Sequence, residues 1–208
     1  MKSRFLQRSV IVVMAFLFSC SLGLYAKKIP RAGIGVRASV FGIPNQLLDL
    51  LIYEHPEIKG NSYTFEIRSY GSKGPKSVFS GLYSFSYSKM NGEGPWRNEQ
   101  NNRRLDGKGE ITQLSLCATI IMSIFPSSPV HAYIGGGLGI GKVSIWYEGV
   151  YTDEVGTQIT DKYEEDRIIP VAHVPIGIKI NLKDKAEIRI EGGFKNGFYV
   201  GAGVVVNF

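Results

Sequence analysis

From Ile34 to Phe208 the chain falls into eight segments in which apolar residues alternate with small or polar ones. A period of two puts successive side chains on opposite faces of a β-strand. In residues 34–41, Ile34, Val36, Ala38 and Val40 oppose Gly35, Arg37 and Ser39. In 62–70, Tyr63, Phe65 and Ile67 oppose Thr64, Glu66 and Arg68. In 78–88, Phe79, Tyr83, Phe85 and Tyr87 oppose four serines, and in 112–124 Leu114, Leu116, Ala118, Ile120 and Met122 oppose Gln113, Ser115, Cys117 and Thr119. The fifth segment (132–146) is glycine-rich opposite Ile134, Leu138 and Ile140. The sixth (171–182) and seventh (186–194) carry His173, Lys179, Glu187, Arg189 and Glu191 opposite aliphatic faces. The eighth, "GFYVGAGVVVNF", alternates to the terminal Phe208.

The connections divide into two kinds. Residues 42–61, 89–109 and 148–167 read as long loops, whereas "GSKGPKS", "PSSPV" and "KDK" read as short turns. The two kinds alternate, so one end of the sheet is trimmed and the other elaborated. The last connection on the elaborated side is the exception, a tight hairpin at Asn196-Gly197.

Eight alternating strands fit a soluble barrel or a membrane barrel. The polar faces carry mostly Ser, Gly and Thr, with few lysines, which is unlike a surface in water. Aromatic residues gather near strand ends: Tyr63, Tyr87, Trp146 and Phe198 at one rim, Phe79, Phe125 and Phe208 at the other. Apolar residues outward between aromatic girdles is the pattern of a barrel in lipid. Lipid also requires every backbone group to pair, which strands achieve only in a closed sheet. The expectation is an all-β, eight-stranded antiparallel up-and-down transmembrane β-barrel with short periplasmic turns and long extracellular loops.

Composition changes one point. The net charge of +6 points to a nucleic-acid binder until its source is located. Lys2, Arg4 and Arg8 precede the apolar run "VIVVMAFLF" and a small-residue stretch ending at Ala26, the order of a secretory signal. Cleavage there makes 1–26 a signal peptide, leaves 27–208 as the barrel domain and lowers the charge to +3, dispersed along the chain. No nucleic-acid partner is expected. A retained anchor, or lipidation at Cys20 in "LFSC", are the alternatives. The mature chain keeps one cysteine, Cys117, so no internal disulfide can form.

With these features the chain resembles the small eight-stranded outer-membrane barrels of diderm bacteria, the group that includes OmpX and OmpW. The resemblance rests on the signal, on "HAYIGGGLGIG", on "VPIGIKINLKDKAEIRIEGGF" and on the terminal "GAGVVVNF". It implies an outer-membrane monomer with surface loops and periplasmic termini. It also implies that Gly203, Val206 and Phe208 form the signal read by the barrel assembly machinery; Gly201 stands where that signal has a polar residue. OmpW-like proteins imply passage or binding of small hydrophobic molecules; OmpX-like proteins imply a plugged barrel whose loops meet a host or surface ligand.

Three sets of residues carry candidate chemistry. Arg37, Glu66, Arg68, Lys179, Glu187, Arg189 and Glu191 face the polar side and must pair, as a salt-bridge ladder filling the lumen or as the lining of a pore. Leu47, Leu50 and Leu51 follow helical spacing in the first long connection. With Trp96 they form a candidate apolar ligand mouth, unless they pack on the barrel or rest at the lipid interface. Pro175 cannot donate to the strand ladder, so it marks a candidate lateral-gate defect or a harmless bulge. His55, His131 and His173 lack a serine nearby in sequence, and neither they nor Cys117 have metal-ligand spacing. No cofactor and no enzymatic activity are expected.

Overall fold

A computed structural model describes residues 29–43, 45, 55–97, 104–152 and 156–208. Its strands are β1 (Ala32–Gly42), β2 (Lys59–Tyr70), β3 (Phe79–Arg97), β4 (Arg104–Ser123), β5 (Val130–Thr152), β6 (Gln158–Leu182), β7 (Ala186–Lys195) and β8 (Phe198–Asn207). Each pairs antiparallel with its sequence neighbours, and β8 pairs with β1, so the sheet closes into a transmembrane barrel. Carried round the ring, the registers return a β1 residue to its own strand about ten positions further on, which for eight strands means a tilt of roughly 40°. The closing seam holds to the last residue: the Arg31 N–H donates to the Phe208 carbonyl at 3.1 Å, and the Phe208 N–H to the Ala32 carbonyl at 2.9 Å.

The aliphatic faces look outward. Leu138 is 75% exposed and Val200 67%, whereas Arg37, Glu66 and the serines of β3 are buried inside. Ridges such as Phe65, Tyr83, Leu116, Ile176 and Ile190 form an outward apolar band, and on such barrels the belt is about 25 Å tall. Close backbone approach decides the glycines of β5. A Cβ on Gly137 or Gly139 would strike the β4 carbonyls of Ala118 or Leu116. Gly136 is different: it faces outward into open space.

Two findings depart from the expectations. Most of 89–109 and 148–167, read as loops, is strand: β3 to β6 run well past the belt, while β1, β2, β7 and β8 stop near it. The cause is an exchange of faces. Below Gly141, β5 turns Ile134, Leu138 and Ile140 outward; above it, Lys142, Ser144 and Glu148 face out and Val143, Ile145 and Tyr147 face in. Once the outer medium is water, the apolar face turns to the axis. Trp146, expected on the girdle, pairs in register with Glu110 and Glu164 and so stands above it.

Candidate functional site

Three tiers of side chains fill the barrel. The lowest tier is ionic. Arg37 pairs with Glu191 and lies 3.8 Å from Glu66; Arg189 pairs with Glu66 and, at 3.2 Å, with Glu191. Lys179 stands 3.7 Å from Glu187. The Tyr70 hydroxyl lies 2.9 Å from Glu187 and 2.8 Å from the Asn207 side-chain oxygen, with one proton to share between them. Arg68 has no hydrogen-bond partner among the described residues; its guanidinium sits 5.9 Å from the Tyr133 ring centre. All seven charged residues singled out from the sequence are buried.

Above them runs a hydroxyl tier. Lys195 crosses the axis from β7 to β3 and donates to Ser86 at 2.6 Å. His173 lies 2.8 Å from Thr119 through Nδ1 and 3.0 Å from the Tyr199 hydroxyl through Nε2, while that hydroxyl donates to Glu191 at 2.7 Å. With the Tyr199 proton so committed, Nε2 donates to that hydroxyl. His173 is thus held as a network member between β4 and β8. His131 bonds the Ser128 carbonyl at 3.0 Å.

The third tier, at and above the upper edge of the belt, is apolar. Phe41, Ile58, Met90, Trp96, Leu105, Ile111, Val143, Ile145 and Tyr147 form one buried cluster. Trp96 stacks on Tyr147 at 5.6 Å, and Tyr147 on Tyr163 at 5.0 Å. The fit is close: a Cβ on Gly109 would run into the Trp96 indole. Trp96, expected at an open mouth, is fully buried in this plug. Leu47, Leu50 and Leu51 lie outside the described residues.

At the level of the plug β3 to β6 run on past the other strands as a four-stranded sheet, with the plug residues on its inner face. Its outer face is laced with ion pairs, Lys89–Glu110 and Lys142–Asp166 at 2.6 Å and Lys162–Glu148 at 3.2 Å. On the inner face the Arg167 guanidinium, with the Tyr163 hydroxyl, holds the Glu165 carboxyl below the usual carboxylate range. The β7 ladder reaches β6 only from His173 downward, so no described strand pairs with β6 on that side from Gln158 to Ala172. Asn196, at a positive φ in the tight turn, caps the foot of this edge: its side chain donates to the Pro170 carbonyl at 2.6 Å and accepts from the Ala172 N–H at 3.0 Å. By the two-residue period, Lys162, Glu164, Asp166 and Ile168 aim their backbone groups at the same edge.

Pro175 points inward and is buried. Its ladder to β7 is continuous through Gly193. The ladder to β5 has partners at Ile134–Ile176 and Gly137–His173 but none between, in unchanged register. The missing donor therefore faces β5, and no residue is bulged. Gly203 lies in register with Arg37 and Arg189, where a Cβ would press on the Arg37 side chain at 3.1 Å; Val206 pairs with Ile34 and Ala186. The charge pattern overlooked Tyr70, Tyr133, Tyr199 and Lys195. The tyrosines do fall on the inward positions of their strands, which was the available signal.

No family model matches the chain, and no curated protein matches it. Solved structures do. Neisserial surface protein A is 14% identical over 85% of this chain and 97% of its own, with a TM-score of 0.51. Ail, the attachment invasion locus protein of Yersinia pestis, is 13% identical over 86% and 99%, with a TM-score of 0.48. At such identity the likeness to the Neisserial protein speaks for the fold alone. The chain is a small eight-stranded transmembrane barrel with the architecture of outer-membrane proteins.

Proposed function

We propose that the chain is an outer-membrane surface protein of the adhesive or structural type, whose barrel is a closed seat for the sheet it holds out. The trimmed rim then faces the periplasm, and residues 1–26 act as the export signal. The observation that carries this reading is the solid apolar plug around Trp96 and Tyr147, stacked over an ionic network that spans the lumen. A plug of this kind speaks against passage of small apolar molecules along the axis, which is the OmpW-like reading.

The edge of β6 that no described strand covers supplies the contact surface. An exposed strand edge recruits an extended partner through main-chain hydrogen bonds. Its outward charges Lys162, Glu164 and Asp166 keep it from pairing indiscriminately. Glu164→Pro with Ile168→Pro tests this, because both N–H groups aim away from β5 and proline is tolerated at such edges. Cells displaying the wild-type chain should attach to animal cells or matrix-coated surfaces above the level of cells without it. The double variant should lose that attachment while keeping the gel-mobility shift of a folded barrel. Equal attachment by both would remove the edge from the account.

A further inference from the structure

The lipid-facing wall is uneven. On β4 the outward series Leu114, Leu116, Ala118, Ile120 and Met122 has one small member, and Ala118 pairs in register with Tyr83 on β3 and Leu138 on β5. These neighbours stand up as ridges, 57% and 75% exposed. Between them lies a groove of about 580 Å³, floored by Ala118 and Gly139 and walled by Phe65, Ile67 and Ile140 as well as the two ridges.

Charge stands on the wall above the groove, beyond Tyr87 and Leu114. Lys89 lies three outward positions above Tyr83, and Lys142 two above Leu138. Each ammonium binds one carboxylate on its water side, Glu110 or Asp166, at 2.6 Å. An ammonium has three donors, so protons remain for an anion arriving from below. An apolar trough inside the belt with two cations above it fits one kind of occupant. We propose that this groove holds one acyl chain of an anionic membrane lipid, one whose phosphate-bearing headgroup has a net negative charge, in the leaflet on the projecting-sheet side, with the phosphate between Lys89 and Lys142. The lipid is a bound ligand, distinct from those that exchange freely around the barrel.

Native mass spectrometry of the full chain, purified in detergent and supplied with equal phosphatidylglycerol and phosphatidylcholine, tests it. The wild type should carry one phosphatidylglycerol. Ala118→Phe, which fills the floor from the lipid side, should carry none while still showing the mobility shift of a folded barrel. Lys89→Gln with Lys142→Gln should lower occupancy at least tenfold. Ile190→Phe, a control on β7, should retain the lipid. The proposal is overturned if Ala118→Phe carries as much lipid as the wild type, or if the wild type carries detergent only or the two lipids equally.

Discussion

Glu66→Ala should lower the stability of the barrel by about 3–5 kcal/mol, the cost of removing one partner from a buried ion pair. Glu66 is fully buried between Arg37 and Arg189, and Glu191 is the other carboxylate that both arginines reach. With Glu66 gone, two guanidinium groups share one carboxylate in a region that also holds the unbonded Arg68. Urea unfolding in lipid vesicles, followed by the mobility shift, measures the loss. The same logic fixes the sign of a second variant. Glu66→Leu with Arg189→Met removes both charges, leaves Arg37 with Glu191, and should recover at least half of that loss. A double variant as unstable as Glu66→Ala would show that shape, and not charge pairing, makes the network matter.

The second large effect lies on the other side of the wall. Ile190→Arg should cost about 2–4 kcal/mol, because a cation on the lipid face near the bilayer midplane has nothing to solvate it. Ile190 is 60% exposed and central in β7, between the two aromatic rims. Asn91→Arg should be nearly neutral, within about 0.5 kcal/mol, since Asn91 is an outward position in the region where water replaces lipid. It also pairs in register with Glu110, which offers a new guanidinium a carboxylate neighbour. Unfolding in vesicles reads both variants. Equal costs at the two positions would mean that the belt has been placed wrongly.

Within the belt, position parity alone was enough to read the sequence. Arg37, Glu66, Arg189 and Glu191 fall on the positions that alternate with Val36, Phe65, Ile188 and Ile190, so their inward direction follows from a period of two. Parity could not say which charge meets which, because contacts such as Lys195 with Ser86 depend on the registers of several strands around the ring. It also could not carry β3 to β6 to their ends. The period persists through Met90, Ile111 and Val143, but its apolar phase moves to the inner face as lipid gives way to water. A strand followed on one fixed face therefore stops at Tyr87 or Leu114. The remainder, rich in charge and glycine, then passes for loop. Trp96 is the clearest case. Among Arg, Asn and Gln neighbours it reads as an exposed ring, yet it is the centre of the plug.

The central claim is that the lumen is closed and that the chain works through what it presents above the membrane. Single-channel recording of the refolded full chain in planar bilayers tests this most directly. The account predicts a flat baseline with no resolved openings, for the wild type and for the β6 edge variant alike. Steady, reproducible conductance steps from the folded wild type would contradict it.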